Sequence, residues 1–428
     1  MKLNMNLMIT RLLLLIILFT NIVIAQKSLD FFISSAERNS PALSEFRHLQ
    51  DINQLQAKLN AAENSAFQVS VSGDYLFAPY FNNHGDLIST NPSPEAIGYD
   101  INLFDGGLYS AQLNLERNLF NGKVLGALDR QVNILNRNYS YQIDLEKHNL
   151  VKEVTDQFLT TFHSLQLMHL QHEVILNLQE ELQLTSDLVK KGYAKSQDYL
   201  LLKIELENQK INENDAKNAY RSNLLQLYST CGIADTSLIE IAPAGLKLSN
   251  NSGLSQFIQK YDLDSLSLVN QQELFETKYQ PQLKVFANTG LNAVELNRIQ
   301  RRFGMSAGVN LSLALFDGNQ KSLTRQQNQL NLRSVAEYRS FTLNTISHKR
   351  RDLVKRIKSM KQNLQSLDGQ VADYQTLLDV SGDQLKQGDI SMIDYLTMLR
   401  SFTDLRERRI ELETNYQLEI NNYNYWNW

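Results

Sequence analysis

The feature that most constrains this chain is a duplication at a constant offset of 196 residues. The motif LFNG at 119–122 matches LFDG at 315–318, and KKGYAKSQDYL at 190–200 matches KQGDISMIDYL at 386–396. In each half, 73 positions separate the Leu of the LF motif from the glycine of the second motif, with no insertion or deletion. Such internal repeats indicate one structural unit built twice. If these residues are helical they span roughly 110 Å, so a constraint fixes that length in both halves.

The segments between the repeated motifs have the pattern of long helices. All six prolines fall outside 95–242 and 282–428, so these segments lack the residue that kinks helices. Apolar residues recur there at spacings of three, four or seven, which is a heptad seam. The seam consists of Val151, Val154, Phe158, Leu165, Met168, Ile175, Leu182 and Val189 in the first half, and of Ile346, Leu353, Ile357, Met360, Leu364, Leu367, Val371, Tyr374, Leu378 and Leu385 in the second.

The two repeated glycines predict where each helix turns back. Glycine adopts the left-handed conformation that ends a helix at little cost, so we predict helical hairpins with tips near Gly192 and Gly388. We expect Ser196 and Ser391 to cap the returning helices. A simple turn would explain both glycines, but it would not explain why Asp-Tyr-Leu recurs just beyond them.

Upstream of each LF motif the periodicity changes to two, which predicts strands at about 67–77, 109–119, 283–291 and 305–315. Each strand has one apolar and one polar face. This alternation is typical of outer-membrane strands, although a half-buried strand of a soluble sandwich shares it.

Four strands are too few to close a barrel, and an open strand edge in lipid costs several kcal/mol per unpaired backbone group. Copies of the chain must therefore assemble. Two copies would give eight strands with a filled interior, and three would give twelve strands with a lumen, so we favour a trimer. The long connection 78–108 would face outward. An aromatic belt is expected there from Tyr75, Phe77, Tyr80 and Phe81.

The N-terminus predicts export. Lys2 and Arg11 precede the apolar run 12–19, and Val23 and Ala25 suit cleavage after residue 25, so 1–25 is a signal peptide. A membrane anchor is the alternative, but the run is too short to span comfortably. The single cysteine, Cys231, excludes a lipidated mature N-terminus and an intrachain disulfide, and we expect it to be buried.

The predicted organisation is therefore a duplicated exported chain. The first repeat occupies 26–232 with its hairpin at 121–232, and the second occupies 253–428 with its hairpin at 317–428. Residues 233–252 form the linker between them.

In this order and spacing, the motifs resemble those of the TolC family of outer-membrane efflux proteins. The resemblance rests on ERNSPAL at 37–43, YQPQLKV at 279–285, the two LF-[ND]-G turns and the two G-x5-D-Y-L apices. It covers essentially the whole mature chain. It implies an α+β membrane protein, with a trimeric twelve-stranded β-barrel in the outer membrane of a Gram-negative bacterium and a coiled-coil α-barrel extending into the periplasm.

The resemblance also implies roles for single residues. The tip that contacts a periplasmic adaptor (membrane fusion) protein would comprise Gly192, Gly388, Lys190 and Lys386. The periplasmic constriction would be lined by Asp198, Asp394, Tyr199 and Tyr395. Ile390 and Thr397 stand where the family's gate pattern has a basic and an acidic residue, so a charge-locked closed state is not implied.

The implied function is that of a passive exit duct of a tripartite efflux or type I secretion system, driven by an inner-membrane transporter. The alternative is a secreted periplasmic coiled-coil protein without a channel. A net charge of −4 gives no basic field for nucleic acid, and no catalytic constellation or phosphate loop is present, so neither an enzyme nor a cofactor is expected. His169 and His172 lack a third ligand, so no metal is expected either.

Overall fold

The computed structural model describes residues 27–76, 109–250, 253–293 and 296–428. The named elements, in chain order, are α1 (Leu29–Asn39), α2 (Pro41–Ser65), β1 (Gln68–Tyr75), β2 (Tyr109–Leu119), α3 (Gly122–Lys190), α4 (Ser196–Thr230), α5 (Gln259–Glu276), β3 (Gln282–Ala293), β4 (Phe303–Ser312), α6 (Gln320–Gln387) and α7 (Met392–Trp426). No helix in the described part of the chain is both long and apolar enough to cross a membrane.

The chain divides into two compact units. One contains Phe46–Tyr141 and Gln259–Ser340, and therefore the whole sheet. The other contains the residues up to Glu45, Gln142–Ile258 and Phe341–Trp428, and therefore both hairpin tips.

The first unit is built on a four-stranded antiparallel sheet in the order β1-β2-β3-β4. β2 covers the predicted range 109–119, but β4 ends at Ser312 rather than at 315. The reason lies in its partner strand, because Ser312 pairs with Gln282, which is the first residue of β3. Leu313 and Leu315 have no residue of β3 opposite them and therefore lie beyond the strand.

The second unit contains the parts of two helical hairpins that include their tips, and the two hairpins are of nearly equal size. α3 and α6 have 69 and 68 residues, and the returning helices α4 and α7 have 35 each. The most buried seam residues are Val154, Phe158, Leu165 and Ile175 of α3, and Ile346, Leu353, Ile357 and Leu367 of α6. Most of the stability of such long helices comes from tertiary packing of this kind rather than from the intrinsic helix propensity of their residues.

The segment predicted as a linker is packed against the first hairpin. The Tyr228 hydroxyl donates a hydrogen bond to the Ser237 carbonyl, and the Tyr220 hydroxyl donates one to the Ile239 carbonyl. Ile241 is buried in the same cluster as Cys231. Cys231 is fully buried, as expected, and burial raises the pKa of its thiol to about 12.

Candidate functional site

Both hairpin turns have the same backbone geometry. Gly192 has φ +79° and Gly388 has φ +82°, in the left-handed region that favours glycine. In each turn the glycine N–H donates to the carbonyl three residues earlier, and the next N–H donates to the carbonyl five residues earlier. These bonds run from Gly192 to Val189, from Tyr193 to Leu188, from Gly388 to Leu385 and from Asp389 to Gln384. The pattern is a Schellman motif, and it recurs at the offset of the sequence repeat.

The tip residues are open to solvent. No heavy atom lies within 4 Å of a Cβ built on either glycine, so backbone conformation rather than crowding requires glycine there. Lys190 and Lys386 are exposed, and each pairs with an aspartate three residues earlier at 3.1 Å and 3.7 Å, respectively. Exposed ion pairs of this kind contribute little stability, so both ammonium groups remain available to a binding partner.

The two returning helices begin differently. Ser391 caps α7 as expected, and its Oγ accepts a hydrogen bond from the Asp394 N–H at 3.2 Å, while Asp394 Oδ2 accepts one from the Ser391 N–H at 3.4 Å. This is a capping box. The expectation for Ser196 was wrong, because the repeat offset places Lys195 at the cap of α4 and Ser196 is the first helical residue. Lys195 makes no side-chain capping bond.

The four residues predicted to line a constriction have different environments. Asp394 is exposed, whereas Asp198 and Tyr199 are half-buried. Tyr395 is only 7% exposed and packs with Met392 and Leu396 in an apolar cluster. Burial raises the pKa of the Tyr395 hydroxyl to about 12. Of the neighbours Asp394 and Tyr395, only the Asp394 side chain is open to solvent. Within the described chain, no hydrogen bond or ion pair joins Asp198 or Tyr199 to Asp394 or Tyr395.

An ion pair that sequence reasoning missed joins the two returning helices. Glu205 on α4 is 3% exposed, and Arg400 on α7 donates to its Oε2 from Nε at 3.1 Å and from a second guanidinium nitrogen. Gln209 Nε2 donates to the other carboxylate oxygen at 2.9 Å. Burial alone would raise the pKa of Glu205, but the hydrogen bonds from Arg400 and Gln209 outweigh burial and lower this pKa below its ordinary value.

We expect Arg400→Met to destabilise the protein by about 1–3 kcal/mol at neutral pH, because it leaves the Glu205 carboxylate buried without its cation. The folded-state pKa of Glu205 is lowered, so its contribution is complete above the ordinary glutamate pKa and is lost as the pH falls through the lowered value. The deficit of the variant should therefore shrink in acid. Urea denaturation of the detergent-solubilised wild type and variant at several pH values measures this difference in unfolding free energy.

The matched control for that substitution is Arg406→Met. Arg406 pairs with Glu173 at 2.7 Å, but Glu173 is half exposed, so we expect a loss below about 1 kcal/mol. Equal losses in the two variants would contradict the role assigned to the burial of Glu205.

The sheet has one apolar face that is widely exposed within the chain. Cross-strand partners lie on the same face, and this face includes Val71, Met305, Val309 and Leu311, with exposures of 63–84%. The opposite face carries paired polar groups, among them Lys284 with Glu116, Ser110 with Asp74 and Asn114 with Ser72. In the described residues no strand pairs with the outer edge of β1 or of β4.

Aromatic residues lie at both ends of the apolar face. At one end, the ring centroids of Tyr75 and Tyr109 lie 5.3 Å apart, with the ring planes tilted by 40°. At the other end are Phe67, Phe120 and Phe316, and the last two are 84% and 85% exposed. Such rims border the apolar band of outer-membrane strands. The other predicted belt residues, Phe77, Tyr80 and Phe81, and the connection 78–108 lie outside the described residues.

The two histidines considered as metal ligands each face a glutamate. His169 Nε2 lies 3.4 Å from Glu240, and His172 Nδ1 lies 2.6 Å from Glu213. In the described part of the chain no three potential ligands converge as a metal site would require.

No protein-family model matches the sequence. No curated protein matches it. Solved structures do match over nearly the full chain. The outer membrane protein VceC of Vibrio cholerae has a TM-score of 0.66 at 13% identity, over 93% of this chain and 96% of that chain. The Campylobacter jejuni CmeC outer membrane channel has a TM-score of 0.65 at 14% identity, over 94% and 86%. The Neisseria gonorrhoeae MtrE outer membrane channel has a TM-score of 0.64 at 13% identity, over 93% and 88%.

At sequence identities this low, the matches establish only that the folds are similar. The mostly helical chain with its four-stranded antiparallel sheet matches the fold of such channel structures. The chain therefore has the fold of these outer-membrane channel proteins, which confirms at the level of the fold its resemblance to the TolC family.

Proposed function

We propose that the chain is one protomer of a trimeric outer-membrane channel that serves as the passive exit duct of a tripartite efflux or type I secretion system. The observation that carries the proposal is the exposed apolar face of the sheet between its two aromatic rims. Monomeric soluble proteins rarely expose a continuous apolar face of this kind, whereas lipid would cover it favourably.

The two open edges of the sheet support assembly. An outer-membrane sheet must close, because unpaired N–H and C=O groups in lipid cost several kcal/mol each. Three copies would supply twelve strands and leave a lumen lined by the polar face. In this arrangement the signal peptide at 1–25 directs export, the sheet lies in the outer membrane and the hairpins extend into the periplasm.

The hairpin tips are the proposed docking surface. Gly192, Gly388, Lys190 and Lys386 would contact a periplasmic adaptor protein, which couples the duct to an inner-membrane transporter. Asp198, Asp394, Tyr199 and Tyr395 would lie at the entrance. Asp394 would contribute a ring of three carboxylates, which attracts cations.

Fractionation and electrical recording test the channel against the alternative of a secreted coiled-coil protein. We expect the mature chain to require detergent for extraction, to migrate as a trimer and to conduct ions in planar bilayers. A folded, monomeric chain that is soluble without detergent would overturn the proposal.

We expect Asp394→Ala to lower the preference of the channel for cations in planar bilayers, because it removes three carboxylates from the entrance. The substitution also breaks the capping box of α7. Ser391→Ala is therefore the control, since it breaks the same box and keeps the charge. If both variants change the reversal potential equally, or neither does, Asp394 does not line the entrance.

A further inference from the structure

The apolar face of the sheet carries one charged residue among the strand residues that the structure describes. The face follows from the pairing register, in which Leu115 lies opposite Val69 and Ala287, and Arg117 lies opposite Val285. It consists of the odd-numbered residues of all four strands. Arg117 is the exception in an otherwise uncharged surface.

The guanidinium of Arg117 has no anionic partner in the described residues. Its carbon lies 5.0 Å from the centroid of the Phe67 ring, and its Nε is buried without a hydrogen-bond acceptor. Glu116 is adjacent in sequence, but it lies on the opposite face and pairs with Lys284. The buried Nε itself is out of reach of an outside group, but the side chain as a whole is only half-buried, so an acceptor from outside the chain can meet the guanidinium at its terminal nitrogens.

The position of Arg117 along the strand matches the boundary of an apolar band. It lies two residues before Leu119, the last residue of β2, which is about 7 Å at 3.3 Å per residue. Phe67 and the exposed Phe120 lie at the same end of the sheet. A charge on a lipid-facing strand costs about 2–4 kcal/mol at the membrane midplane but only about 0–1 kcal/mol near the interfaces.

The backbone beside this position is itself unusual. Phe120 has φ +57°, a left-handed conformation that is an outlier for a phenylalanine. In the second repeat the corresponding residue is Phe316, which does not have a positive φ, and the position of Arg117 is occupied by Leu313. The first repeat alone therefore combines the cation with this turn.

We propose that Arg117 binds the phosphate of a phospholipid headgroup in the membrane leaflet at the LF-turn end of the sheet. A guanidinium forms paired hydrogen bonds with phosphate oxygens, and its side chain can reach the headgroup layer while its stem covers apolar surface. The Phe67 ring lies against one side of the guanidinium, and the acyl chains of the phospholipid lie along Val285 and Leu115. The inference rests on the proposed function, because it needs the apolar face to contact lipid.

The test uses the purified trimer of the mature chain in non-ionic detergent and short-chain phosphatidylglycerol as the probe, with bound lipid counted by native mass spectrometry. We expect Arg117→Leu to weaken binding by about tenfold or more, the usual range for lost charge-assisted hydrogen bonds. Arg117→Gln keeps most of the side-chain length and should weaken binding similarly, so a folding defect of the leucine variant leaves the test intact. Lys284→Leu removes a positive charge at nearly the same level from the polar face and should change binding less than twofold.

Two further probes identify the source of the phosphate. Short-chain diacylglycerol, which lacks the phosphate, should bind wild type and Arg117→Leu equally. Inorganic phosphate should not displace the lipid at equal concentration, and displacement would overturn the lipid assignment in favour of a free-phosphate site.

The remaining outcomes separate this inference from the proposed function. Unchanged binding in Arg117→Leu, with a wild-type trimer that conducts, would overturn the inference alone. A wild-type chain that neither assembles nor conducts would overturn the proposed function and the inference with it.

Discussion

Leu113→Arg should greatly reduce the fraction of molecules that reach a folded, membrane-inserted trimer. Leu113 lies at the centre of the sheet on the apolar face, where it pairs with Val71 on one side and Thr289 on the other. An arginine at the membrane midplane of such a strand costs about 2–4 kcal/mol in each protomer, and every trimer would carry three. We expect the folded fraction to fall at least tenfold, as measured by urea titration of the protein in lipid vesicles and by the yield of detergent-extracted trimer.

The matched control is Gln112→Arg, one residue earlier on the same strand. Gln112 pairs with Ser72 and Gly290, so it lies on the polar face, which would line the water-filled lumen. The same side chain should be tolerated there. Equal loss in both variants, or none in either, would mean that the apolar face does not contact lipid.

Gly388→Trp should abolish export while the trimer still assembles. The turn is open around Gly388, so an added ring would project from the tip into the space where we propose that the adaptor docks. The left-handed φ of +82° adds a cost of about 1–2 kcal/mol for any side chain, which is confined to the turn. Export of a reporter cargo from cells, together with trimer yield, measures the two effects separately.

The control for bulk is Gly369→Trp. Gly369 is an exposed glycine within α6, nineteen residues before Gly388, and a Cβ built on it also meets no atom within 4 Å. This variant adds the same ring to the helix and leaves the tip unchanged, so export should persist. If the Gly388→Trp variant still exports the cargo, or if both variants lose export equally, the tip is not the surface that docks the adaptor.

Local patterns in the sequence were sufficient for the two long hairpins, the four strands and their order, but they did not predict α1, α2 or α5. The heptad spacing, the absence of proline and the paired glycines predicted two long hairpins, and the alternation at 109–119 predicted β2 at its observed bounds. These features depend on residues within one or two turns of each other, so periodicity reports them directly. The alternation also places Arg117 on the apolar face, but only the pairing of three strands and the position of Phe67 reveal a guanidinium without an acceptor.

The sequence by itself therefore determined the duplication, the two helical hairpins, the four strands and the positions of the turns. The tertiary structure decided that Ser391 caps its helix and Ser196 does not, that Tyr395 is buried while Asp394 is exposed, and that Glu205 meets Arg400 across 195 positions. It also decided where β4 ends, because its neighbour β3 begins at Gln282, opposite Ser312. The physical reason is common to all of them: burial, pairing register and ion pairing depend on which distant segments meet, and no local period in the chain encodes that.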